Sequence, residues 1–159
     1  MAQKPVLAHW YQRFDTFSMS THEFYERLTA EIARREMPDV KLFRKDLPEG
    51  GFLSSDRDYL HARRGKYTFA LCAAPFGIDF FVSWWLLEEP GCIRGVLAFL
   101  FPNLDLPARE PTFYEEDTAE TFRDCVHQAV VETIEGLFTK KQQEPPPFQP
   151  PKTRSRLLA

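Results

Sequence analysis

The sequence predicts an α+β domain, an antiparallel four-stranded β-meander with an N-terminal and a C-terminal amphipathic helix packed on one of its faces. Apolar residues recur at helical spacing after Ser20 and again after Asp117, while between Val40 and Leu87 the period falls to two. Turn-forming clusters at Pro48-Glu49-Gly50-Gly51, Arg64-Gly65 and Pro75-Phe76-Gly77 cut that middle stretch into strand-sized pieces. Fifteen Phe, five Tyr and three Trp in 159 residues are an aromatic excess that suits strands and contact surfaces.

Residues 1–19 read as an N-terminal arm, residues 20–140 as a single domain and residues 141–159 as a disordered tail. The first helix opens on Ser20-Thr21-His22-Glu23, a capping box in which Ser20 takes the Glu23 amide and Glu23 the Ser20 amide, with Met19 stapled onto Phe24. Phe24, Leu28 and Ile32 form its apolar stripe, and Pro38 ends it.

Val40, Leu42 and Arg44 alternate with Lys41 and Phe43 in a first, edge strand. Residues 59–63 and 66–74 flank a tight hairpin at Arg64-Gly65, and residues 78–87 form the last strand. In the last two strands Tyr67, Phe69, Leu71 and Ala73 share one face with Ile78, Phe80, Val82, Trp84 and Leu86, which predicts the core side. The opposite side carries Thr68, Ala70 and Cys72, then Asp79, Phe81, Ser83, Trp85 and Leu87. A purely solvated face would not hold Phe, Trp and Leu.

The second helix opens at Asp117-Thr118-Ala119-Glu120, and Phe122, Val126, Ala129, Val130, Ile134 and Leu137 are its stripe. Lys140 and Lys141 complement its C-terminal dipole. Beyond them Pro145, Pro146, Pro147, Pro150 and Pro151 predict an extended or disordered segment, a spacer that also resembles the ligands of polyproline-binding domains.

Net charge of -3 and a pI near 5.8 provide no attraction for phosphate backbones, so no nucleic-acid partner is expected. The three cysteines, Cys72, Cys92 and Cys125, are odd in number, widely spaced and without a Cys-x-x-Cys pattern, which points to a reducing compartment. The first ten residues lack the apolar core of a secretory signal. Residues 78–101 are the most membrane-like stretch, but Glu88, Glu89 and Arg94 would each cost about 2.5–3.5 kcal/mol in a spanning helix. The expectation is a cytoplasmic protein, with peripheral contact at the inner membrane face as an alternative.

No phosphate loop, nucleophile elbow or zinc motif occurs, and neither a cofactor nor a metal site is expected. Cys92, in a loop two residues from Arg94, is the one candidate nucleophile, and no partner base can be placed beside it. Cys125 and His127 lie two apart on a helix and point in different directions. Glu115-Glu116-Asp117 already has a structural reason in the dipole of the helix it precedes. The tip Arg63-Arg64-Gly65-Lys66 reads as an exposed charged turn.

Phe76, Phe81, Trp85 and Leu87, with Leu97 and Phe99 of the apolar segment 95–101, are the candidate partner-binding residues. Burying each such side chain contributes roughly 1.5–3 kcal/mol, enough to anchor a partner or a second subunit. Cover by segment 95–101 of the same chain is the equally weighted alternative.

The order of a helix, a four-stranded meander and a cysteine is similar in outline to ubiquitin-conjugating enzymes, but the His-Pro-Asn signature of that family is missing and Cys92 follows the last strand directly. Two stretches, from Arg63-Arg64-Gly65-Lys66-Tyr67 through Trp85 and from Asp117-Thr118-Ala119 through Val131, resemble segments of uncharacterised bacterial proteins. Some of those carry a membrane hairpin between the sheet and the final helix. That resemblance implies no activity, and it adds weight to membrane association. The sequence as a whole reads as a non-enzymatic interaction or assembly module, with a peripheral membrane protein and a thiol enzyme at Cys92 as alternatives.

Overall fold

In the computed structural model, which describes residues 6–47, 57–89 and 110–153, the chain runs β1 (Val6–Phe14), α1 (Thr21–Arg34), β2 (Lys41–Leu47), β3 (Arg57–Arg64), β4 (Tyr67–Phe76), β5 (Asp79–Glu88), α2 (Phe113–Lys140) and β6 (Lys152–Thr153). The fold is α+β, but its sheet has six strands rather than four, in the order β2-β3-β4-β5-β1-β6. All pairings are antiparallel, and the predicted meander survives as β2 to β5.

The two additional strands come from the segments read as arm and tail. In β1, Ala8, Trp10, Gln12 and Phe14 are buried and alternate with half-buried or exposed His9, Tyr11 and Arg13. This is a period-two pattern, obscured by a polar Gln12 on the inward side and an aromatic Tyr11 on the outward side. The strand pairs with β5 along nearly its whole length, from Val6 opposite Leu87 to Phe14 opposite Phe80. Two residues of β6 pair with Ala8 and His9 on its other edge.

The hairpins turn one or two residues later than the sequence suggests. Gly65-Lys66 joins β3 to β4 and Gly77-Ile78 joins β4 to β5, with φ of +56° at Gly65 and +65° at Gly77, a region that costs other residues energy. Ile78, predicted in the core, is therefore a turn residue and 75% exposed. The remaining predicted inward residues, Tyr67, Phe69, Leu71, Ala73, Phe80, Val82, Trp84 and Leu86, are all buried.

In α1 the Ser20 hydroxyl accepts the Glu23 amide at 3.1 Å, while the Glu23 carboxylate turns to Arg27 instead of back to Ser20. The second helix begins at Phe113, one turn before Asp117. Thr112 and Glu115 form a reciprocal capping box there, with the Thr112 side chain on the Glu115 amide and the Glu115 side chain on the Thr112 amide. The acidic cluster thus lies inside the first turns of α2 rather than ahead of it.

The core is dominated by aromatic contacts. Phe24 of α1 meets Phe80, and the Tyr25 hydroxyl lies within hydrogen-bond distance of the Asp58 and Leu71 carbonyls while accepting the Ala73 amide. From α2, Phe122 meets Phe69, His127 meets Trp10 and Trp84, and Phe138 meets Phe14 and stacks on Phe17 at 4.4 Å. The helices also touch each other, with Arg34 and Arg35 both paired to Glu132.

Candidate functional site

The outward side of the sheet is organised in rows by the register. One row runs Phe43, His61, Ala70, Trp85, His9 and Lys152, each residue directly opposite the next across five strand pairings. In its middle and beside it, the small side chains Thr68, Ala70, Cys72 and Ser83 are buried. Two aromatic groups flank them.

On one flank Phe43 stacks on His61 at 5.1 Å with planes 10° apart, and Tyr59 lies 6.4 Å from the same imidazole. On the other, His9 stacks on Trp85 at 3.7 Å, and Tyr11 packs by Phe81 at 6.2 Å. The Arg57 guanidinium covers the Phe81 ring at 5.4 Å, a cation–π contact. Even so, Trp85 remains 40% and Tyr11 48% exposed. Burial, and then the nearby Lys152 charge, lower the pKa of His9 and keep the stacked ring neutral over more of the pH range.

Three of the predicted contact residues are therefore brought together. Phe81, Trp85 and Leu87 share this face, with Phe81 and Leu87 half-buried. Phe76 stands apart at the end of β4, 71% exposed beside Ile78. Leu97, Phe99 and Cys92, and with them the whole segment 95–101, lie outside the described residues. His9, Tyr11, Phe43 and Tyr59 were missed. The first two belong to the unrecognised strand β1, whose period-two alternation is the signal that would have found them.

The basic hairpin tip is largely matched by the chain's own acceptors. Arg63 pairs with Glu89 at 3.2 Å, Lys66 with Glu88 at 3.0 Å and with Glu115 at 3.4 Å, and Arg64 donates to the Pro38 carbonyl. Burial works against the Lys66 charge, but the hydrogen bond and charge of Glu88, with Tyr67 and Glu115, together outweigh it and hold its pKa above the ordinary lysine value.

His127 is turned inward, where Trp84 Nε1 donates to its Nδ1 at 3.3 Å, and Cys125 does not join it. Burial lowers the His127 pKa, only partly opposed by Asp124. Cys72 is buried on the outward face.

Among the described residues, no group of three or more His, Cys, Asp or Glu side chains converges as a metal site requires. No described helix is long and apolar enough to cross a membrane. No protein-family model, curated protein or solved structure matches the chain.

Proposed function

We propose that this chain is a non-enzymatic interaction module whose two helices close one side of the sheet and whose outward aromatic side receives a protein partner or a second copy of the chain. The observation that carries the reading is the pair of aromatic groups on that side, His9, Tyr11 and Trp85 on one flank and Phe43 with His61 on the other. Half-exposed Trp and Tyr rings held by rigid strands lose little conformational freedom on contact and are enriched at interfaces. The test is the oligomeric state of the purified chain and its capture of partners, with Trp85→Ala and Tyr11→Ala as the variants. Loss of self-association or of a defined partner at retained fold supports the reading. A monomer that captures nothing, and whose biological effect survives both substitutions, sinks it.

A second reading, peripheral contact with a membrane, is favoured by the tip of the β4–β5 hairpin, where Phe76 and Ile78 are 71% and 75% exposed on either side of Gly77. Such a pair can enter the headgroup layer without any change of fold. Co-sedimentation with neutral and with anionic vesicles tests it. Binding that Phe76→Ser abolishes supports it, and no binding to either vesicle removes it.

A further inference from the structure

The proline-rich tail is seated on the domain, and its contacts form a recognition pattern. Five of the seven residues 145–151 are prolines, so backbone N–H groups remain only at Phe148 and Gln149. Such a segment cannot be read by a sheet ladder, which needs donors as well as acceptors along the strand. It offers carbonyls, and β1 supplies side-chain donors to meet them.

Trp10 Nε1 donates to the Gln149 carbonyl at 2.7 Å, and Gln12 Nε2 donates to the Pro147 carbonyl at 3.1 Å. The Gln149 amide in turn donates to Gln12 Oε1 at 3.2 Å. The Gln12 carboxamide thus acts as a substitute peptide group, reading one carbonyl and one N–H of the incoming chain. Trp10 and Gln12 are two residues apart on one face of β1, as are the two carbonyls they bind along the tail. Between those carbonyls Phe148 is half-buried against the core. Past Pro151 the tail has donors again, and there it pairs as β6 with Ala8 and His9.

An indole N–H, a carboxamide and an apolar seat are the chemistry by which extended proline-rich peptides are recognised. We propose that Trp10 and Gln12 form a groove for proline-rich peptides, that the tail is its tethered occupant, and that a partner's segment of the pattern Pro-aromatic-Gln-Pro displaces it. Among the described residues past Glu144, the tail is held by three hydrogen bonds to side chains of β1, one half-buried ring and a two-residue strand. The link leaves α2 through Gln142 at φ +55°, a conformation unfavourable to a non-glycine residue. Tethering is what keeps the groove filled, because a short link holds its ligand at about millimolar effective concentration. Displacement bares the edge of β1 that β6 covers, so occupancy by a partner also changes which sheet edge faces outward. This surface lies on the helix side of β1, opposite the outward aromatic face, which the tail reaches through Lys152 beside His9.

The probe is a fluorescent peptide of residues 143–153, titrated into the full chain. The wild-type chain is compared with a Phe148→Ala, Gln149→Pro variant, which loosens the tail and leaves the groove intact. Saturable binding at least about tenfold tighter to the loosened variant is expected, and adding Gln12→Leu weakens it by about tenfold or more, since two hydrogen bonds are lost. A loosened variant that keeps its circular dichroism and melting transition yet does not bind, or binds equally well with Gln12→Leu, overturns the proposal. A second measurement uses the wild-type chain alone, labelled with nitrogen-15 and given unlabelled peptide at about millimolar concentration. The Phe148 and Gln149 amides of the tail should move to free-chain positions while the Trp10 indole N–H stays hydrogen-bonded. If neither tail amide moves, the tail is a fixed strap and there is no exchangeable groove.

Discussion

His9 and Trp85 lie ring over ring, their centroids 3.7 Å apart and their planes 24° from parallel, on strands that the register sets directly opposite each other. This stack joins the strand nearest the N-terminus to the end of the meander, and it holds a half-exposed indole on the outward side of the sheet. Trp85→Ala removes the stack and with it the indole's share of the burial that lowers the His9 pKa. Its cost should be modest, about 1–2 kcal/mol, because much of the indole already faces outward. The His9 resonance should titrate at higher pH than in the wild type, toward the ordinary value of about 6.5. Urea denaturation and a proton NMR titration read the two effects. An unchanged titration would mean that the indole does not shield the imidazole.

His127 predicts a pH-dependent stability of definite sign. Its Nδ1 accepts from Trp84, so the neutral ring with its proton on Nε2 fits the fold, and burial lowers its pKa. A base whose folded pKa lies below its unfolded value contributes stability in full above that unfolded value, near 6.5. The contribution falls as pH drops through the folded pKa and levels off beneath it. Burial of His9 acts in the same direction. Denaturation at about pH 7.5 and about pH 5 should show lower stability in acid, with a smaller difference in His127→Leu. An equal difference in the two proteins would place the acid sensitivity elsewhere.

The capping box at the start of α2 should be measurable by itself. Thr112→Ala removes the acceptor of the Glu115 amide and should cost about 1 kcal/mol, seen as a lower urea midpoint with an unchanged slope. The same loss in Ser20→Ala tests the first helix, where the Ser20 hydroxyl alone serves the Glu23 amide. A cost near zero for Thr112→Ala would mean that the first turn of α2 frays in solution.

Two phenylalanines on β4 separate core from surface. Phe69 is fully buried between Trp84 and Phe122, and Phe69→Ala should cost about 3–5 kcal/mol. Phe76, at the end of the same strand, is largely exposed, and Phe76→Ala should leave stability within about 0.5 kcal/mol. Thermal melts of the two variants check both. A large loss from Phe76→Ala would show that its ring is covered in solution.

Much of the middle of the fold was legible because it is written in local patterns. The alternation of Tyr67, Phe69, Leu71 and Ala73 with Thr68, Ala70 and Cys72 sorts one strand into two faces, and the four-residue repeat of Phe24, Leu28 and Ile32 marks a helix stripe. The start of α2 was misplaced because negative charge at Glu115-Glu116-Asp117 suits the region before a helix as well as its first turns. Thr112 three residues before Glu115 was the finer signal. The candidate site was only half legible. Phe81, Trp85 and Leu87 are visible on one strand, but the rings beside them come from other strands, and no period along β5 reveals which.

The sequence by itself determined the fold class, the meander from β2 to β5 and, Ile78 aside, the inward residues of β4 and β5, since helix and strand periodicity depend on neighbours a few positions apart. Only the tertiary structure decided that the sheet has six strands and that β1 and the segment 147–153 meet on it. β1 is paired with β5, some seventy positions away at Trp10 and Trp84, and the tail is held by Trp10 and Gln12 across 139 and 135 positions. A period along β1 can mark a strand but not its partner, because pairings of that span are selected by which edge, carbonyl or ring is still unmatched once the rest of the chain has folded.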